Sequence, residues 1–201
     1  LYREVNEIIQ EGLVNSYKES GLLPEWSSPG HRDCMIGQNS ASVVWDAYAK
    51  GLRGYDIESL WEAVTAGANT HLKGTASGRL GFDHYNTQGY VPNNVDIGQN
   101  AARTLEYAYN DWTIYKLGKA LGKSESELAQ YKKHAMNYKN VYNPQHKLMS
   151  GKDDKGIFNP NFNPADWSGE FCEGNSWHWS FCVFHDPQGL MDLMGGQKEF
   201  N

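Results

Sequence analysis

The chain has little of several things that would fix its class at once. It has no basic run, and its net charge of -6 argues against a nucleic-acid partner or an anionic membrane surface. No apolar run reaches the length of a membrane-spanning helix. Cysteine is scarce. Cys34, Cys172 and Cys182 are odd in number and have no close spacing. They give neither a disulfide framework nor a zinc pattern, and they read as small buried apolar groups. Convincing strand alternation is missing too. What remains is an all-α globular chain. A hydrophobic content of 39% with 21% charged residues excludes disorder, and 201 residues suffice for one domain with a real core. Aromatics are plentiful, with seven Trp and twelve Tyr, which suits a carbohydrate site or a large helical core.

Helical spacing of Val5, Ile8, Ile9, Leu13 and Tyr17 predicts a helix over residues 1–20, stopped by Gly21. Pro24, Pro29 and Gly30 make 22–32 a loop. A helix over about 35–50 follows. It is small and apolar on most sides, so it is expected to be surrounded by protein. Asp56 is placed to cap a helix containing Trp61 and Val64. Residues 67–98 read as one long irregular stretch, of a kind that is usually functional. Next come a helix over 99–121 and a capping box formed by Ser124 and Glu127. That box opens a helix to about Val141. Asn143 and Pro144 break it, and 143–170 is a loop. A last helical part starts near Glu173, breaks at Asp186-Pro187, and ends at Gly195-Gly196. The pattern is already running at Leu1 and a fresh helix starts just before Asn201, so the chain reads as a piece of a larger protein without its signal peptide.

One segment recurs. Ile36-Gly37-Gln38-Asn39-Ser40-Ala41-Ser42 returns as Ile97-Gly98-Gln99-Asn100-Ala101-Ala102-Arg103, with a weaker copy at Glu173-Gly174-Asn175-Ser176. Each copy opens a helix followed by a more amphipathic partner. This predicts helical hairpins around an axis, with the N-termini of the inner helices converging on one face. Free N–H groups would gather there, beside amides suited to sugar hydroxyls. Each copy taken singly is equally an ordinary N-terminal cap.

The third copy sits in the stretch that carries the most chemistry, Phe171-Cys172-Glu173-Gly174-Asn175-Ser176-Trp177-His178-Trp179. Indole faces are good platforms for sugar rings. A carboxyl enclosed by aromatic groups stays protonated to higher pH, which is what a general acid requires. The plain alternative is a helix start with a buried Glu satisfied by backbone donors.

These residues and their order resemble the catalytic region of glycoside hydrolase family 92, the calcium-dependent exo-acting α-mannosidases. The similarity is carried by Met35-Ile36-Gly37, the run from Asp46 to Asp56, Gly89-Tyr90-Val91-Pro92, the run from Arg103 to Trp112, Glu173-Gly174-Asn175-Ser176-Trp177, and His185-Asp186-Pro187-Gln188-Gly189-Leu190 with Leu193-Met194-Gly195-Gly196. The resemblance implies that 1–201 is part of an (α/α)6 barrel. The rest of the barrel and an N-terminal β-sandwich domain would lie elsewhere in the parent chain, and an opened barrel would expose apolar faces. It implies hydrolysis of terminal α-linked mannose from a glycan with inversion, by a secreted or periplasmic enzyme. Glu173 matches the general acid. The general base, an aspartate in a motif of the type Asp-x-Gly-Gln-Met-Ser, and most calcium ligands are expected beyond Asn201. Many members carry a His shortly after the first motif where this chain has Gln38 and Asn39, which bears on linkage preference.

Asn175, Trp177 and His178 are expected beside Glu173, with Gln38, Asn39, Asn100, Arg103 and Asp33 lining the same face. Asp33 is equally placed to cap a helix, and Arg103 to pair with Asp96 or Glu106. His71 and His84 are either substrate contacts or solvated loop residues. His185-Asp186 orders a helix break, Trp45 is core, and Lys152-Asp153-Asp154-Lys155 is a solvated turn. Two rival functions are an inactive helical scaffold or sugar-binding module, and an enzyme acting on phosphate-linked mannose.

Overall fold

A computed structural model describes residues 2–200. In chain order the elements are α1 (Arg3–Ser20), α2 (Ser40–Ala49), α3 (Ile57–Ala68), α4 (Phe82–Gln88), α5 (Asn100–Ala120), α6 (Glu125–His134), a 3-10 turn (Asn137–Val141), β1 (Tyr142–Asn143), β2 (Leu148–Met149), α7 (Ser176–Trp179), α8 (Pro187–Leu193) and α9 (Gln197–Phe200). The all-α expectation holds: the only strands among the described residues are β1 and β2, a short antiparallel hairpin.

The chain divides into two compact units, Leu1–Phe82 with Asn110–Lys133, and Asp83–Tyr109 with His134–Asn201. The first unit packs around Val44 of α2, Leu60 and Val64 of α3, Ile114 and Leu117 of α5, and Leu128 of α6. Each of these side chains is almost wholly removed from water, a gain of about 1.5–3 kcal/mol per large apolar group. α1 adds Val14 to this core. Val5, Ile8 and Ile9 lie on its exposed side. Trp45 packs partly buried against the same core, as expected. In the second unit Tyr85, Val91 and Tyr107 form one buried cluster, where the two tyrosine rings meet edge to face at 5.3 Å, and Leu105, Tyr138, Met149 and Leu190 are buried as well.

The helix ends show why these boundaries form. Gly21 takes φ +78 and its N–H reaches Tyr17 O at 2.7 Å, a left-handed stop that glycine adopts without a Cβ clash. Asp56 accepts from Ser59 N–H at 3.1 Å and opens α3. Ser124 and Glu127 exchange bonds of 3.0 and 3.3 Å across the first turn of α6. Asp186 accepts from Gly189 N–H at 3.0 Å and opens α8, with Pro187 in its first turn.

Several boundaries differ from the sequence expectation. α2 begins at Ser40 because Met35 and Gly37 take φ +73 and +86, which no right-handed helix tolerates. It buries one face, through Ser40, Ala41, Val44 and Ala47, and leaves Val43 exposed. The stretch 67–98 is not irregular throughout: α3 runs on to Ala68, and α4 lies within it. The helix after Ser124 stops at His134, and β1 and β2 interrupt the loop that follows. No disulfide joins the three cysteines. Cys34 is exposed and the other two are half-buried, so they are not the buried groups expected. Burial and the neighbouring Glu106 push the Cys182 thiol up to about 11.

Candidate active site

In the second unit, residues 168–174 form a closed loop ahead of α7. Ser168 N–H donates to Gly174 O at 2.8 Å, and Phe171 N–H donates back to Ser168 O at 3.3 Å. Phe171 is buried and anchors the loop from below. Trp179 Nε1 donates to Cys172 O at 2.8 Å, so an indole braces the peptide just before Glu173. Gly174 is closely packed there: an added Cβ would lie 3.2 Å from Trp179 Nε1 and 3.4 Å from His178 Cβ. Ser176 Oγ donates to Met149 O at 2.6 Å and Met149 N–H donates to Ser180 Oγ at 2.8 Å, which pins α7 to β2.

Glu173 stands at the exposed turn of this loop with φ +46. A non-glycine residue pays roughly 1–2 kcal/mol to sit in the left-handed region, and such strain persists where surrounding contacts over-determine it. Glu173 lies three residues ahead of α7, close to the expected helix start. The sequence expectation is corrected on one point: Glu173 is exposed rather than enclosed by aromatic groups.

The neighbours sort into distinct roles. Asn175 is the cap of α7. Its Oδ1 accepts from Trp177 N–H at 3.1 Å and His178 N–H at 3.4 Å, while its own N–H donates to His178 Nδ1 at 3.2 Å. Its amide oxygen therefore fixes the helix start, and Nδ2 reaches Ala165 O at 3.5 Å. Trp177 is 56% exposed and presents an open indole. The His178 ring is exposed and meets Trp167 edge to face at 5.7 Å.

The loop is joined to the second copy of the repeat. Gln99 N–H donates to Gly169 O at 2.8 Å, and Ala101 and Ala102 N–H both donate to Glu170 O at 3.1 Å. The start of α5, with Asn100 and Arg103, is thereby tied to the loop that carries Glu173. Asn100 is buried, and Arg103 Nε donates to Gly98 O at 3.0 Å rather than pairing there with a carboxylate. A polar basin of about 520 Å³ adjoins this junction, lined by Asn93, Asp96, Asn100, Asn159 and Glu170 among others. Glu170 escaped the sequence reading. Its only local mark is a carboxylate following a glycine in a loop, while its partners lie far along the chain.

The first copy lies in the other unit and is largely structural. Gln38 is buried. Its Nε2 donates to Val64 O at 2.7 Å, its Oε1 accepts from Arg79 Nε at 2.9 Å, and its N–H donates to Asn110 Oδ1 at 2.7 Å. Gly67 leaves room for this amide, which a Cβ would strike. Asn39 Oδ1 accepts from Asn110 Nδ2 at 2.9 Å. Asp33 is exposed and seven residues before α2, so it does not cap that helix. The cap comes from Glu25, whose carboxylate accepts from Ser40 N–H at 3.0 Å and Ser40 Oγ at 2.7 Å. Neither α2 nor α5 thus offers the cluster of free N–H groups expected from the repeat. Buried amides are paired within the chain instead.

Of the remaining candidates, Asp186 caps α8 and accepts from Tyr138 OH at 2.8 Å, as its place before Pro187 suggested. Asp153 holds its turn by accepting from Lys155 and Ile157 N–H at 2.9 and 2.8 Å. Among the described residues no three His, Cys, Asp or Glu side chains gather as a metal-binding set.

The glycosyl hydrolase family 92 catalytic domain model matches residues 1–201. The family GH92 inverting mannosidase BT2199 of Bacteroides thetaiotaomicron is 46% identical over 99% of this chain, with a TM-score of 0.95. The family GH92 α-mannosidase BT3965 of the same organism is 31% identical over all of it, with a TM-score of 0.90. An uncharacterized secreted glycosidase of Arthroderma benhamiae is 28% identical over 94% of the chain. The chain spans 26–28% of the length of these relatives. The chain belongs to glycoside hydrolase family 92, within its catalytic domain.

Proposed function

We propose that the protein to which this chain belongs hydrolyses terminal α-linked mannose from glycans with inversion at the anomeric carbon, and that Glu173 is its general acid. In that reaction Glu173 gives its proton to the glycosidic oxygen as the bond to the sugar breaks. A carboxylate on the opposite side of the ring activates the attacking water, with space between the two groups for that water. The base is proposed to be an aspartate in a segment beyond Asn201. Trp177 offers its open face to the sugar, and Asn175 sets the start of α7 and so the direction in which the Glu173 loop leaves it. Residues 1–201 are proposed to form part of an (α/α)6 barrel, completed by other segments and preceded by a β-sandwich domain.

The observation that carries this reading is the conformation of Glu173: a strained, exposed carboxyl held by bonds on both sides of its loop. The support for mannose comes from relatives described as mannosidases, one of them as inverting, and the support for secretion from the fungal relative described as secreted. Calcium is proposed as a cofactor from the family resemblance. Among the described residues no three His, Cys, Asp or Glu side chains gather as a cation site, and most of the calcium ligands are proposed to come from other segments of the protein.

The test uses the full-length protein on α-linked mannobiose, followed by proton NMR, with and without a calcium chelator. β-Mannose as the first product, lost on chelation, supports the proposal. α-Mannose as the first product, or no mannose from any linkage, overturns it.

A further inference from the structure

We infer that Glu170 is a positioning residue for Glu173, a carboxylate clamp that holds the acid-bearing loop in its strained form. Its oxygens are met only by donors. Oε2 accepts from Gly151 N–H at 2.7 Å, and Oε1 accepts from Asn159 Nδ2 at 3.2 Å and from Asn93 Nδ2 at 3.4 Å. Its carbonyl takes the first amides of α5, from Ala101 and Ala102. One residue therefore ties three distant segments to a point three positions before Glu173. An ionised carboxylate is acceptor-only and matches such a set of donors. Gly151 is shaped to the clamp: a Cβ there would lie 2.5 Å from Asn100 Oδ1 and 2.8 Å from Glu170 Cδ.

The consequence for Glu173 is conformational. Its φ of +46 persists only if the ends of the loop are held. The Gly174-side end is held by Ser168 N–H and by Trp179 on Cys172 O. The α5-side end is held by Glu170. With Glu170 released, Glu173 relaxes towards negative φ and its Cα–Cβ bond turns away. A misplacement of about 1 Å in a reacting group costs on the order of 100-fold in rate. Glutamine at this position sets an NH2 donor against donors already present.

This inference rests on Glu173 being the general acid, and the experiment separates the two. The full-length protein and its Glu170→Gln, Asn159→Ala and Glu173→Gln variants are assayed on α-linked mannobiose and on dinitrophenyl α-mannoside, whose leaving group departs without protonation. A clamp acting through the acid lowers kcat on mannobiose by about 100-fold in Glu170→Gln. It leaves the dinitrophenyl substrate within about threefold and KM little changed, the same split as in Glu173→Gln and smaller in Asn159→Ala. An equal loss on both substrates in a folded Glu170→Gln protein overturns the inference. If that variant does not fold, Asn159→Ala decides: the split supports the clamp and its absence overturns it. If Glu173→Gln itself shows no split, the acid assignment fails, and a split confined to Glu170→Gln then overturns the clamp as well.

Discussion

Glu25 gives the sharpest stability prediction. It is a half-buried carboxyl that caps α2 from fifteen residues earlier through Ser40 N–H and Oγ. Burial pushes its pKa up to about 7 from 4.5, and the bonds from Ser40 only partly offset that. The folded state then holds a proton that the unfolded state has lost, so stability falls as pH rises from 4.5 to 7 and stays reduced above that. At about 1.4 kcal/mol per pH unit, the loss reaches up to about 3 kcal/mol, less where water reaches the carboxylate. Glu25→Gln removes the titration. Near pH 4.5 amide and protonated carboxyl are close to equal, within about 1 kcal/mol for one altered hydrogen bond. By pH 8 the variant gains about 2–3 kcal/mol on the parent. Urea unfolding of both proteins from pH 4.5 to 8, followed by tryptophan fluorescence, measures the gap. A gap that does not change with pH refutes the burial of this carboxyl.

Asp111→Asn leaves Arg79 without the anion it meets at 2.9 Å, both side chains being fully buried. The expected cost is about 3–5 kcal/mol, and a shift in urea midpoint worth under 1 kcal/mol contradicts it. Gly151→Ala drives a methyl into Asn100 and Glu170 and is expected to destabilise by about 1–3 kcal/mol; a thermal midpoint unchanged in calorimetry counts against the close packing there. Trp177→Ala removes the open indole and is expected to raise KM for mannobiose by roughly tenfold, about one aromatic contact, with kcat altered less. Unchanged KM removes Trp177 from the sugar site.

What the sequence made legible was local. The Gly21 stop, the Asp56 cap, the Ser124–Glu127 box and the Asp186-Pro187 start each depend on residues a few positions apart, and all four stand. What it hid was set by distance or by backbone sign. The start of α2 moved because Met35 and Gly37 turn left-handed, and its cap comes from Glu25. α4 is only seven residues long within a glycine-rich stretch. Gln38 matched its repeat partner by type but is consumed by Arg79 and Val64, which no periodicity reveals. The site was half legible. Glu173 stood out by composition and by family resemblance. Its left-handed backbone and the Glu170 clamp depend on Gly151, Asn159 and Asn93, up to 77 positions away.

The most direct measurement is turnover of α-linked mannobiose by the full-length protein beside its Glu173→Gln variant, both checked for folding by circular dichroism. Loss of the acid is expected to lower kcat by about 10²–10⁴-fold with mannose still bound. Turnover by the variant within a few-fold of the parent contradicts Glu173 as the general acid.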